Sequence, residues 1–187
     1  MSPDSGASPV GEERATAALV ASLVREVPDF PQPGVIFKDI TPVLADARAF
    51  AAAVAWLAGA FEGPVAKVVA IEARGFILGA PVAHVLRAGL VPVRKIGKLP
   101  AATVTQGYTL EYGEAVLEMH VDALAPGDRA LVVDDVVATG GTASATVELV
   151  RRAGAEVVGL AALLEVPGLG GRDRLAGTEV RVMLPAS

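Results

Sequence analysis

Apolar positions along the chain follow two rhythms, one of helical spacing and one of short continuous or alternating runs. Over residues 15–27, Leu19, Val20, Leu23, Val24 and Val27 recur at helical intervals until Pro28 stops the run, which predicts a first helix. Pro28, Pro31, Pro33 and Gly34 then impose a stiff extended path across residues 29–39. Asp46 is a suitable N-cap for a second helix whose face carries Phe50, Val54, Leu57 and Phe61, ending near Gly63 and Pro64. Residues 67–71 read as a short strand. A helical segment follows over residues 76–87, where the backbone bond lost at Pro81 predicts a helix start close before it or a distortion, and residues 90–93 read as the next strand. Residues 98–106 hold little besides Ala, Thr, Val and Pro and predict a mobile loop. Residues 108–112 and 117–121 predict a hairpin turned at Gly113 and Glu114. In its second strand Leu117, Met119 and Val121 alternate with Glu118 and His120 on a wet face.

The C-terminal third reads as a buried strand over 130–133, a helix over 142–153 closed by Arg151, Arg152 and Gly154, a buried strand over 157–164 and an edge strand over 180–184. Strands alternating with helices predict an α/β fold with an open, mainly parallel sheet and helices on both faces. Residues 1–14 lack periodic apolar positions and are expected to form a loosely ordered tail. No internal repeat or linker divides residues 15–187, which are expected to form one domain.

Composition narrows the function. With 187 residues, 52% of them hydrophobic, and a mean hydropathy of +0.51, the chain has ample material for a core and does not match a disordered sequence. The longest uncharged stretch, residues 49–61, falls short of the roughly 18 residues a membrane-spanning helix needs. The N-terminus has acidic residues and no basic segment ahead of its first apolar run, so a cytoplasmic location is expected. Cysteine is absent, which removes disulfides and thiolate chemistry, and two histidines do not make a histidine metal cage. A net charge of −5 argues against a broad nucleic-acid face.

The stretch that carries chemistry is residues 131–142, LVVDDVVATGGT. An apolar strand delivers Asp134 and Asp135, and the turn Ala138, Thr139, Gly140, Gly141 and Thr142 leads into a helix. Ligands of open α/β sheets bind beyond the carboxyl ends of strands. Two glycines permit close backbone approach there, and the helix N-terminus offers unsatisfied amides, so the turn is a phosphate cradle. Aspartates beside a phosphate would repel it; Asp134 and Asp135 therefore accept hydrogen bonds from sugar hydroxyls or face a magnesium ion. No Gly-x-x-x-x-Gly-Lys-Ser/Thr string occurs and Gly140-Gly141 does not complete a dinucleotide fingerprint, which sets aside a P-loop and a dinucleotide fold.

The same string resembles the phosphoribosyl-diphosphate motif of type I phosphoribosyltransferases. Residues 28–39 (PDFPQPGVIFKD), 72–76 (EARGF), 94–100 (RKIGKLP) and 108–113 (YTLEYG) resemble, in order, the adenine phosphoribosyltransferase branch, and the resemblance covers about residues 19–184. It implies conversion of adenine and 5-phosphoribosyl 1-diphosphate to AMP and diphosphate in purine salvage, with magnesium carried mainly by the substrate rather than by direct protein ligands. It also implies a cytoplasmic homodimer with small-molecule substrates and no nucleic-acid or membrane partner. It assigns Arg74, Lys95 and Lys98 to the diphosphate, a cis peptide to Glu72-Ala73, and the catalytic proton-handling role to Glu111, with Tyr112 steadying the loop. Residues around 28–40 become a hood in which Val35, Ile36, Phe37 and Lys38 contact adenine, chiefly through backbone at Ile36 and Lys38; the lysine stands where the family often has arginine. Val166, His84 and His120 are read as structural.

Two other readings stay open on the residues alone. One is transfer to another purine such as hypoxanthine or xanthine, because base choice rests on a few hydrogen bonds. The other is a non-catalytic phosphoribosyl-diphosphate-binding regulator, against which the short N-terminal segment and the acidic charge count.

Overall fold

The apolar runs expected to be buried strands form the middle of a seven-stranded sheet in the computed structural model, which describes residues 9–110 and 113–186. The chain divides into two units, Met1–Ala53 and Val54–Ser187.

In the second unit the strands are β3 (Lys67–Ile71), β4 (Gly89–Lys95), β5 (Thr103–Leu110), β6 (Gly113–His120), β7 (Arg129–Val137), β8 (Glu156–Glu165) and β9 (Val180–Leu184). Their order is β5-β6-β4-β3-β7-β8-β9. The pairs β4–β3, β3–β7, β7–β8 and β8–β9 are parallel, while β6 joins β5 and β4 antiparallel. Helices α4 (Arg74–Leu86) and α5 (Gly141–Arg152) cover opposite faces. Alternation along β3 decides this. Val69 and Ile71 belong to the core that holds Val147, Leu149 and Val150 of α5. Ala70 faces α4, where a Cβ added to Gly79 would stand 2.7 Å from the Ala70 Cβ, so only glycine lets that helix lie so close to the strand. The fold is the open, mainly parallel α/β sheet predicted, with an antiparallel hairpin added at one edge. A short helix α6 (Gly171–Arg174), not anticipated, lies between β8 and β9.

The first unit holds α1 (Pro9–Leu23), β1 (Arg25–Pro28), β2 (Ile36–Asp39) and α2 (Thr41–Ala45), and the boundary between the units falls within α3 (Ala47–Ala58). The first helix starts and stops earlier than its periodicity suggested. Arg25–Pro28 is instead a strand, in which Val27 pairs with Phe37 of β2. The proline-rich path is thus the connection of an antiparallel hairpin. Its loop is held by the Gly34 N–H donating to Asp29 Oδ1 at 2.8 Å and by an edge-on contact of Phe30 with Phe37 at 5.2 Å. Asp46 caps α3 as expected, accepting the Ala49 N–H at 2.8 Å, and that helix ends at Ala58 rather than near Gly63.

Three local expectations in the second unit need correction. Helix α4 runs through Pro81, because tertiary packing outweighs one missing backbone bond. The expected loop at residues 98–106 is strand from Thr103 onward, and Gly113 and Glu114 belong to β6 rather than to a turn, since Leu110 already pairs with Gly113. Glu118 does not lie on a wet face. It is 3% exposed, as buried as Leu117 and Met119 beside it.

Candidate active site

Parallel strands β3 and β7 lie side by side, with Ala70 opposite Val133, so the loops leaving their carboxyl ends emerge together. The chain then runs to α4 on one face of the sheet and to α5 on the other. A crevice opens between such divergent connections. Here it is a cleft of about 210 Å³, walled by Glu72, Ala73 and Arg74 after β3 and by residues 134–143 at the end of β7 and beyond it.

Each wall has a local cause. The Glu72-Ala73 peptide is cis, as the sequence resemblance implied, and Arg74 opens α4 immediately after it. Gly75 lets this corner approach β7, since a Cβ there would stand 2.9 Å from the Val133 carbonyl oxygen and 3.0 Å from Asp134 Oδ1. On the other wall Gly140 adopts φ +73° and leads into α5, which no side chain caps. The first intrahelical bond is made by the Ser144 N–H to the Gly140 carbonyl at 2.8 Å, so the amides of the preceding turn are available to an anion. The bend rests on α6. A Cβ on Gly140 would lie 2.5 Å from the Gly171 carbonyl oxygen, and one on Gly171 would lie 2.3 Å from the Ala138 carbonyl oxygen. Gly171 was not singled out from the sequence; its only signal was a Gly-Gly pair far from the motif.

The electrostatics are those of two acids facing a cation. The Arg74 guanidinium is ion-paired with Asp135, which is 3% exposed. Asp134 Oδ1 accepts the Asp135 N–H at 2.9 Å. Burial, reinforced by the neighbouring Asp135 charge, holds the Asp134 carboxyl well above the ordinary carboxylate range; Arg74 and the Asp135 amide pull it down, and burial wins. Glu72 goes the other way. Its burial would raise the carboxyl, but Arg94 donates to it at 3.2 and 3.3 Å and the Lys95 N–H at 3.1 Å, so it is held below the ordinary range.

The structure therefore brings together Arg74, Asp134, Asp135, Ala138, Thr139, Gly140, Gly141 and Thr142 in one cleft. Lys95 and Lys98 do not line it. They follow its wall, joined to Glu72 through the Lys95 amide and through Arg94, which also donates to the Lys98 carbonyl at 3.2 Å. The linking pair Glu72–Arg94 was missed from the sequence, where Arg94 read as one more member of a basic cluster. Glu111 and Tyr112 lie outside the described residues. Val35, Ile36, Phe37 and Lys38 belong to the first unit, at the start of β2. Ile36 is exposed there, and the Lys38 ammonium is ion-paired with Glu26. Val166 follows β8 half-buried, donating its N–H to the Val137 carbonyl at 2.9 Å; His84 is exposed in the last turn of α4, and His120 is half-buried.

Comparison with known proteins agrees with this geometry. The family described as phosphoribosyl transferase domain matches residues 38–182. The adenine phosphoribosyltransferase of Acidothermus cellulolyticus is 58% identical over 167 residues, covering 89% of this chain and 94% of its own. That of Streptomyces coelicolor is 60% identical over 173 residues, covering 89% and 94%. The crystal structure of adenine phosphoribosyltransferase from Rhodothermus marinus superposes with a TM-score of 0.88 at 53% identity, over 92% of this chain and 99% of that one. The Saccharomyces cerevisiae enzyme, complexed with an imino-altritol bisphosphate and adenine, gives 0.87 at 32% identity, over 91% and 99%. At such identity to these relatives over nearly its whole length, the chain belongs to the adenine phosphoribosyltransferase family.

Proposed function

We propose that the cleft between β3 and β7 binds the phosphoribosyl group of 5-phosphoribosyl 1-diphosphate, and that Val35, Ile36, Phe37 and Lys38 supply the contacts to adenine. The enzyme is an adenine phosphoribosyltransferase, a pentosyltransferase. In the reaction the bond from the anomeric carbon to diphosphate breaks, a bond from that carbon to a purine nitrogen forms, and the purine gives up a proton. Positive charge builds on the ribose and negative charge on the departing group, so holding both ends and neutralising the leaving group lowers the barrier.

The chain's residues divide that work. The amides and hydroxyls of Ala138, Thr139, Gly140, Gly141 and Thr142 grip the 5′-phosphate, and Asp134 and Asp135 accept hydrogen bonds from the ribose hydroxyls. Arg74, oriented by its ion pair with Asp135, faces the diphosphate. Lys95 at the end of β4 and Lys98 just beyond it add positive charge, and Glu111 takes the purine proton. Lys38 reads the base through its backbone, which its side-chain ion pair with Glu26 supports.

Magnesium fits this donor set. Among the described residues no three His, Cys, Asp or Glu side chains cluster as a cage. The chain offers Asp134 and Asp135 at the cleft edge, which suits an ion held mostly by substrate oxygens and water. Bound there, magnesium supplies charge neutralisation on the diphosphate. The family resemblance extends the reading to a homodimer working in cytoplasmic purine salvage. Among the described residues, no helix is long and apolar enough to cross a membrane.

The observation that carries the proposal is one cleft lined by both the Arg74–Asp135 ion pair and the glycine bend that leads into the uncapped α5. Turnover with 5-phosphoribosyl 1-diphosphate, magnesium and a panel of purines tests it. Adenine consumption with AMP release is expected, whereas exclusive use of hypoxanthine or xanthine would move the base assignment to another purine.

A further inference from the structure

Glu118 is a buried acid that the mechanism above does not use. It stands on β6, opposite Arg94 of β4 and Thr105 of β5. One carboxylate oxygen accepts the backbone N–H groups of Lys98 at 2.7 Å and Leu99 at 2.8 Å, and the other accepts the Thr103 hydroxyl at 3.3 Å. Lys98 and Leu99 belong to the connection from β4 to β5, which turns at Gly97 with φ +81°, and Thr103 opens β5. The same connection is held from its other side, because the Lys98 carbonyl accepts from Arg94, whose remaining nitrogens bind Glu72 on the cleft wall. Lys98 thus has its N–H fixed by one carboxylate and its C=O tied through Arg94 to another.

Burying a carboxylate is costly unless hydrogen bonds replace its water. A turn that needed only shape could be closed by a hydroxyl or an amide. Here a full negative charge sits under a segment that carries Arg94, Lys95 and Lys98. It opposes the mutual repulsion of these cations and fixes the segment before an anion arrives, so less ordering is left for the binding step. The Lys98 charge reaches Glu72 in this arrangement, helping to hold that carboxyl below its ordinary range.

We propose that Glu118 is a positioning residue for the diphosphate half of the substrate: its carboxylate sets the Lys98–Leu99 backbone so that the Lys98 ammonium stands at the cleft wall. The proposal rests on the assignment of Lys98 to the diphosphate. It implies that loss of Glu118 weakens diphosphate recognition selectively and leaves adenine recognition alone.

The test compares Glu118→Ala, Glu118→Gln, Lys98→Ala and the Glu118→Ala/Lys98→Ala double variant of the full chain. KM for 5-phosphoribosyl 1-diphosphate, inhibition by inorganic diphosphate and KM for adenine are read in each. Glu118→Ala is expected to weaken the first two by about 10-fold with KM for adenine within about twofold. Glu118→Gln is expected to recover only part of that loss and to stay about threefold weaker than the parent, since its amide oxygen still accepts both backbone N–H groups but the negative charge beneath the cations is gone. The double variant is expected to be no worse than the poorer single one. Should Glu118→Ala not fold, Glu118→Asp keeps the charge, withdraws it by one methylene and is expected to show the same selectivity. Equal losses for adenine and diphosphate, or additive losses in the double variant, would overturn the positioning role while leaving the Lys98 assignment standing. Unchanged diphosphate inhibition in Lys98→Ala would overturn both together.

Discussion

Arg74 and Asp135, 61 residues apart in sequence, form an ion pair at the carboxyl ends of neighbouring parallel strands. The Asp135 side chain is nearly fully buried at 4% exposure, while Arg74 keeps 38% of its side chain accessible. The acid is therefore the anchor and the guanidinium the working end. Asp135→Asn keeps the volume and removes the charge that orients Arg74. A loss of about 100-fold in kcat/KM for 5-phosphoribosyl 1-diphosphate is expected, in line with breaking one charge-assisted contact to a developing anion. Steady-state kinetics check this, and a change of less than about threefold would show that the pair does not orient the arginine.

The phosphate bend depends on two glycines that touch. Because a Cβ on Gly171 would meet the Ala138 carbonyl at 2.3 Å, Gly171→Ala must shift the contact between α6 and the bend. The expected cost is about 1–3 kcal/mol of stability together with a raised KM for 5-phosphoribosyl 1-diphosphate. Gly107→Ala is the matched control, since nothing lies within 4 Å of its added Cβ. Thermal melts and kinetics of the two variants should diverge; equal behaviour would contradict the packing account.

Asp134 and Glu72 should respond to pH in opposite senses. Burial, aided by the Asp135 charge, raises the Asp134 carboxyl, so the folded state binds this proton more tightly than the unfolded chain does. Stability then falls as pH rises from the ordinary carboxylate range through the raised value, and the penalty is complete above it. Asp134→Asn removes that penalty while keeping an oxygen for the Asp135 amide. Its melting temperature should exceed the parent's at neutral pH, with the gain vanishing in acid. Glu72 is pushed up by burial but held down more strongly by Arg94 and the Lys95 amide. Its contribution is present at neutral pH and lost as pH falls through its lowered value, so Glu72→Gln should melt below the parent at neutral pH. Melting curves across pH decide the matter. The same direction of change for both variants would contradict these environments.

Lys38 tests backbone readout of the base. Its ammonium is ion-paired with Glu26, and the half-buried Phe37 beside it packs on Phe30. Lys38→Ala should shift KM for adenine by less than about threefold, because an exposed ion pair contributes about 0–1 kcal/mol. A loss of about 10-fold or more would assign the lysine side chain itself to the base.

The parts of this molecule legible in the sequence are those with a local signature. Residues 68–71 and 130–133 show buried strands as uninterrupted apolar runs, and the LVVDDVVATGGT string shows the cleft because strand, acids and glycine bend are contiguous. Asp46 announced its helix because capping is settled within three residues. Arg25–Pro28 misled because Val24 and Val27 extend a helical spacing, while the strand is fixed by pairing with β2, a partner the periodicity does not see. Glu118 misled for the same reason: alternation predicted its face, but the cover over that face comes from the segment after β4. Gly171 and the Glu72–Arg94 pair were illegible because their meaning lies in contacts across the fold.

The most direct test of the central claim is a crystal structure of the enzyme with AMP bound. The 5′-phosphate is predicted to lie on the amides of residues 138–142, with the ribose hydroxyls against Asp134 and Asp135. A phosphate seated in any other cleft, with this bend holding solvent alone, would contradict the account.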